Sequence, residues 1–289
     1  RRLINDITEF ATWVDLKGKD SVPETVHHAV VMIDPTDEQL QQQIAAQLTT
    51  RAITDGVHAP QELKGNSPEA QQARYSQAIK EIKQHMLIQL LDKLQMDQCL
   101  IFCRTNVDCS NLERFMLECG GGGGKFRGKQ EKGKENPYSC CVLAGMRSME
   151  ERRANLQAFK DGDVRFLICT DVAARGIDIK NLPYVINMTL PDEPESYIHR
   201  VGRVGRAEAM GLAISLVAAP GFKEKVWFHT CSSKGKGGNC TRRTLVEEGG
   251  CTIWYDEPAY FTAIEQRLGT SIPRLGPDLS LPPEFATNV

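Results

Sequence analysis

The 289-residue sequence lacks a G-x-x-x-x-G-K-[ST] segment, so it brings no phosphate-cradling loop with a lysine of its own. None of its ten cysteines forms a C-x-x-C pair, which argues against a zinc ribbon or a thioredoxin-like redox site. No apolar run approaches the roughly 20 residues that span a bilayer, and Arg1-Arg2-Leu3-Ile4-Asn5-Asp6 has no signal-peptide core. The expectation is an intracellular chain without a membrane partner, whose residues 1–21 link it to something upstream. Charge is also nearly balanced, with Lys+Arg 35 against Asp+Glu 37 and a formal net charge of -2. A polyanionic partner therefore has to be held by a local basic surface.

Such a surface is present in His199-Arg200-Val201-Gly202-Arg203-Val204-Gly205-Arg206. Arginine offers a planar, permanently charged fork that fits phosphate oxygens, and glycine lets backbone approach a ligand. The alternative is a solvated basic turn; the fixed phasing of arginine and glycine speaks for phosphate.

Around this stretch the chain alternates. Thr25 to Ile33 is a β-branched strand in which His27 and His28 are ordinary strand residues. Thr36 and Gln39 form a capping-box pattern ahead of Leu40, Ile44 and Leu48, and 55–66 is loop. Ser67-Pro68 starts a helix with a core stripe at Ile79, Ile82, Met86, Leu90 and Leu94. Further strands are expected at 99–103, 139–143, 165–170, 184–187 and 211–217, with helices through Leu112, Phe115 and Met116 and, after Ser148 and Glu151, through Leu156 and Phe159. Apolar runs without alternation imply strands covered on both faces, hence a parallel α/β sheet with ligands at the strand carboxyl ends.

Three segments depart from this economy. Gly120 to Gly124, followed by Lys125, Arg127, Lys129, Lys132 and Lys134, read as an insertion that either touches an RNA backbone or is simply solvated. Beyond Val217, Lys234, Lys236, Arg242 and Arg243 precede Trp254, Tyr255, Tyr260 and Phe261. Those aromatics suit either a stacking platform for single strands or, preferably, packing of an irregular extension onto the sheet. Cys231, Cys240 and Cys251 are expected to be reduced thiols with no metal, and Pro273, Pro277, Pro282 and Pro283 to mark a tail leaving the domain.

One strand end carries chemistry as well. The strand expected at 165–170 ends at Thr170, and the turn of Thr170-Asp171-Val172-Ala173-Ala174-Arg175-Gly176-Ile177-Asp178 offers a hydroxyl, exposed amides, a glycine, an arginine and two carboxylates to phosphate and sugar. A capped turn with an ion pair between Arg175 and Asp171 is the structural alternative.

Thr170 to Asp178 resembles motif V, His199 to Arg206 motif VI, and Leu100 to Thr105 motif IV of the DEAD-box RNA helicases. The resemblance implies the second of two RecA-like domains over residues 22–218, a parallel sheet flanked by helices, with 219–289 as a C-terminal extension. It further implies that Arg203 and Arg206 are arginine fingers reaching the γ-phosphate of ATP and that Gly176 and Asp178 contact the nucleotide, Asp178 at the ribose. His199 would join the two domains, and Thr105, Gly145, Thr170 and Gly176 would hold RNA phosphates and sugars. ATP and Mg2+ would be bound mainly by the N-terminal RecA-like domain.

Departures accompany the match. Ala144-Gly145 replaces the usual His-Gly, Met149-Glu150-Glu151-Arg152 keeps only the arginine of Q-x-x-R, and Val204 stands for threonine. These resemble the branch of the family that carries a SPRY insert in its first domain. The implied function is ATP-dependent unwinding of short RNA duplexes in nucleus and cytoplasm, with ribonucleoprotein subunits as further partners. The alternatives are an ATP-gated RNA clamp and a related DNA helicase. Without a phosphate loop or an Asp-Glu-Ala-Asp run, these residues alone are expected to show no RNA-stimulated ATPase activity.

Overall fold

A computed structural model describes residues 25–47, 50–121, 136–174, 179, 182–204, 211–232, 240–282 and 285. Six parallel strands form the centre: β1 (Val26–Ile33), β2 (Cys99–Phe102), β3 (Cys140–Leu143), β4 (Phe166–Cys169), β5 (Tyr184–Asn187) and β6 (Gly211–Ala218). Their order across the sheet is β1-β6-β5-β2-β4-β3, and every pairing is parallel. β2, β3 and β4 are buried at all four positions. Successive residues enter opposite cores: Ile101, Val142, Ile168 and Ile186 face one side, and Phe102, Cys141, Leu167 and Val185 the other. The period-2 pleat and the continuous apolar runs are thus one fact, since both faces are covered.

Helices supply the covers. α1 (Glu38–Gln47), α2 (Pro68–Lys93) and α3 (Asn106–Cys119) lead to the first core, to which Ile44, Leu87 and Phe115 belong. α4 (Met149–Lys160), the short α5 (Asp171–Ala174), α6 (Pro194–Val201) and α7 (Glu257–Leu268) lead to the second, through Phe159, Ala173, Tyr197 and Phe261. Two caps stand where the sequence puts them: Ser67 accepts from Ala70 N, and Ser148 and Glu151 exchange both bonds of a capping box. At α1 the cap is Asp37 rather than Thr36, its carboxylate accepting from Gln39 N and Leu40 N. Thr36 instead donates both its amide and its hydroxyl to Asp34, so the helix starts one residue later. The linker of residues 1–21, the 122–135 part of the glycine and lysine insertion, Leu48, Lys234 and Lys236 lie outside the described residues. Among the described residues no helix is long and apolar enough to cross a membrane.

Among the described residues, the proline-rich segment expected to leave as a tail turns back onto the sheet. Val30 N donates to Pro273 O at 2.9 Å and Leu275 N to Val30 O at 2.8 Å, so this segment covers the open edge of β1. Leu275, Leu279 and Phe285 are buried in the first core. An edge strand otherwise presents unpaired amides and carbonyls, which explains why a proline-rich segment stays on it. β7 (Glu224–Trp227) and β8 (Thr252–Tyr255) form a separate antiparallel pair. The aromatics here mostly pack: Tyr255 is buried, stacks on Tyr260 at 4.7 Å and donates its hydroxyl to Leu190 O at 2.6 Å.

A buried ionic group ties the extension to the sheet. Lys83 of α2 contacts Glu224 of β7 and lies 2.6 Å from Glu257 of α7, whose carboxylate also accepts from Leu190 N and Ala218 N at 3.0 Å. Burial opposes the Lys83 charge, but the two carboxylates raise its pKa. Burial pushes Glu257 up to about 7 against the pull of Lys83. Removing one partner from such a group strands the others in low dielectric. Lys83→Met is therefore expected to lower the stability of the purified protein by about 3 to 5 kcal/mol in equilibrium urea denaturation; an unchanged midpoint would contradict this role.

Candidate functional site

Three of the residues expected to face a ligand sit just beyond the carboxyl ends of the neighbouring strands β2, β3 and β4. Thr105 follows β2 as the N-cap of α3: its hydroxyl donates to Asp108 Oδ2 at 2.6 Å and accepts from Asp108 N at 3.1 Å. Burial, helped by the nearby charge of Asp55, pushes Asp108 up to about 6. Gly145 follows β3 and is exposed. A Cβ placed there would meet nothing closer than Asn106 Nδ2 at 3.7 Å, so this chain alone does not require a glycine. Thr170 follows β4, buried at 7 % exposure, and its carbonyl accepts from Ala174 N to start α5.

All three line one open groove of about 420 Å³, together with Arg104, Asn106, Asp171 and Arg200. The facing wall comes from the extension, where Trp227, Phe228 and His229 follow one another at the end of β7. Phe228 is 46 % exposed. The sequence offers a stacking role to other aromatics; these three were missed because nothing local says that β7 ends beside β2 and β4.

Beside this groove lies the basic stretch, divided by its helix. Tyr197, Ile198, Arg200 and Val201 form the buried side of α6, while His199 points outward and is exposed. Arg200 is 2 % exposed and makes four side-chain hydrogen bonds. Its Nε and Nη2 donate to the two oxygens of Asp171 at 2.6 and 2.7 Å, and Nη1 donates to Asn187 Oδ1 at 3.0 Å and Thr189 O at 2.6 Å. The ring of Phe102 lies 4.9 Å beneath its guanidinium. Asp171 thus pairs with Arg200; Arg175, offered as its partner from sequence, lies outside the described residues. The signal for Arg200 was available: it stands between Tyr197 and Val201 at helical spacing on the apolar side.

Arg203 begins the turn after α6. It is half-buried, with Nη2 3.4 Å from Ala174 O, and its own carbonyl accepts from Leu182 N at 3.2 Å. Val204 bridges Leu182, which holds the turn against the segment entering β5. The structure therefore brings the turns of Thr170 and Arg203 to adjoining positions, one through Asp171 and the other through Arg200 on the same ion pair. Gly176, Asp178 and Arg206 lie outside the described residues. Of the departing positions, Met149 is exposed at the start of α4.

Residues 82–208 match the family described as helicase conserved C-terminal domain. With the six-stranded parallel sheet and its strand-end groove, this defines the class: a RecA-like helicase C-terminal domain. ATP-dependent RNA helicase DDX1 of Xenopus laevis is 49% identical over 284 residues, covering 98% of this chain and 36% of that protein. ATP-dependent RNA helicase Ddx1 of Drosophila virilis is 40% identical over 305 residues, covering 98% and 67%. Among solved structures, a DEAD box protein from Methanococcus jannaschii is 28% identical over 67% of this chain and 39% of its own, with a TM-score of 0.45. The chain belongs to the DEAD-box family of RNA helicases, and it spans about a third of the length of the curated relatives it matches first.

The Arg200 pair is open to a direct check. Lysine keeps the charge but cannot bind both Asp171 oxygens, Asn187 and Thr189 from a planar fork. Arg200→Lys is expected to cost about 1.5 to 3 kcal/mol of stability in chemical denaturation; a change within about 0.5 kcal/mol would show that the pair holds little.

Proposed function

We propose that this chain is the C-terminal half of an ATP-dependent RNA helicase, which closes on an N-terminal RecA-like domain to bind RNA and complete an ATPase site. The observation that carries this reading is the convergence of Thr105, Gly145 and Thr170 on one groove at the carboxyl ends of β2, β3 and β4. Backbone turns, a hydroxyl and a glycine without a steric duty inside the chain suit a sugar-phosphate backbone, which confers affinity without sequence choice. Gly176 belongs to the same proposed RNA contact. In this reading residues 22–218 form the RecA-like unit and 219–289 an extension.

On the nucleotide side, Arg203 and Arg206 act as arginine fingers on the γ-phosphate, Gly176 and Asp178 hold the nucleotide, and exposed His199 meets the other domain. The chain's own contribution is positional: α6 and the Arg200–Asp171 pair hold the Arg203 turn in place before nucleotide arrives. ATP supplies the phosphoryl group when bound, with Mg2+ held mainly by the N-terminal domain. ATP and RNA each bind the closed form better, so each promotes binding of the other. Nucleus and cytoplasm, and ribonucleoprotein subunits as further partners, complete the proposal on family grounds.

The test is Arg203→Ala in the full-length protein, read by RNA-stimulated ATP turnover and strand displacement. Turnover is expected to fall by on the order of 10³ to 10⁵, with displacement lost. Undiminished turnover would contradict the finger role. Wild-type protein that binds RNA in an ATP-dependent way yet displaces no strand would make it a clamp instead.

A further inference from the structure

We propose that His229, Cys231, Cys240 and Cys251 form a structural metal site of the Cys₃His type, taking zinc or a like thiophilic divalent ion, in the extension. The inference stands apart from the reading of ATP and RNA. One ring nitrogen and three sulfur atoms from these residues lie within 4.8 Å of one another. Cys231 Sγ and Cys240 Sγ are 3.7 Å apart, much farther than the roughly 2.05 Å of a disulfide bond. Two thiolates bound at about 2.3 Å to one tetrahedral zinc stand about 3.8 Å apart.

The donors suit that ion and few others. Three sulfurs and an imidazole are a structural zinc set, while magnesium and calcium require oxygen ligands. Cys251 is fully buried and Cys240 is 8 % exposed, inside a small satellite core with Val57 and Trp227. His229 stacks on Trp227 at 5.0 Å and 14°. Its Nδ1 is buried with no hydrogen-bond partner among the described residues, an omission that a ligand would repair. Trp227 is itself held by its Nε1–H on Asp55 O at 3.0 Å.

The backbone fixes the donors in place. Phe228 N donates to Cys251 O at 2.8 Å, which locks the end of β7 to the start of β8, and Cys251 N donates to Arg242 O at 2.9 Å. Gly249 takes a positive φ of 77°. At Gly250 a Cβ would stand 1.9 Å from Thr244 O, so only glycine lets the chain deliver Cys251 there. Three chain segments thus meet at one point, with no C-x-x-C to announce it. Such a small core gains most from a staple. Binding replaces the thiol protons with metal–sulfur bonds and releases up to three protons to solvent. His229 also lines the groove behind Phe228, so the metal would stiffen that wall.

The experiment measures metal content of the purified, reduced protein by inductively coupled plasma mass spectrometry, followed by replacement with Co2+ and absorption spectroscopy. About one zinc per chain is expected, with cobalt giving thiolate charge-transfer and tetrahedral d–d bands. Cys251→Ser should remove both. His229→Cys should keep one metal per chain and shift the cobalt bands toward those of four sulfurs, and Cys119→Ser, outside the cluster, should change nothing. Folded wild-type protein with neither zinc nor tetrahedral cobalt bands would overturn the proposal, as would a Cys231–Cys240 disulfide in mass spectrometry of the protein purified without reductant. Zinc retained at full stoichiometry by the folded Cys251→Ser variant would overturn it too.

Discussion

The site depends on one ion pair, in which a buried arginine meets a half-buried aspartate. Arg200 on α6 and Asp171 at the head of α5 meet through the Nε and Nη2 donors of the guanidinium, and the residues beside them open two different turns. Thr170 precedes Asp171 at the end of β4, and Arg203 follows the helix that carries Arg200. A buried charge cannot wander, because leaving its partner exposes it to uncompensated desolvation. Asn187 and Thr189 occupy the Nη1 donors, so the two turns keep their spacing as a unit. The arginine-rich stretch is thereby split by depth: its first arginine, Arg200, is structural, and Arg203 stands nearer the surface.

The extension is the second constraint. Lys83, Glu224 and Glu257 join α2, β7 and α7 in the interior, and Arg104 lies 4.2 Å over the ring of Tyr255. The residues after β6 are therefore part of the packing around the groove. They bring Trp227, Phe228 and His229 to a wall that the RecA-like sheet does not supply by itself. Ordered and dissimilar materials meet there, a pleated parallel sheet on one side and a short hairpin with a cluster of soft ligands on the other.

Much of this was legible in the sequence wherever the signal is local. Unbroken apolar runs at 99–103 and 166–169 foretell strands covered on both faces, and Ser67 and Ser148 foretell helix starts. Thr36 failed as a cap because Asp37, one residue on, has the stronger acceptor. Arg200 was overlooked because a charged residue amid other arginines looks like surface; its helical phase with Tyr197 and Val201 was the better guide. The return of Pro273 to Leu275 onto β1, the proximity of Phe228 to Thr105, and the meeting of His229 with three cysteines are contacts between distant segments. No spacing rule encodes them, since they depend on how the hairpin and edge close in space.

The measurement that bears most directly on the central claim is a structure of the full-length protein with a non-hydrolysable ATP analogue and single-stranded RNA. The guanidinium of Arg203 is expected at about 2.7 to 3.2 Å from the terminal phosphate. An RNA backbone is expected in the groove of Thr105, Gly145 and Thr170, with Arg200 still on Asp171. An Arg203 turned away from bound nucleotide, with RNA seated on another face of the sheet, would contradict it.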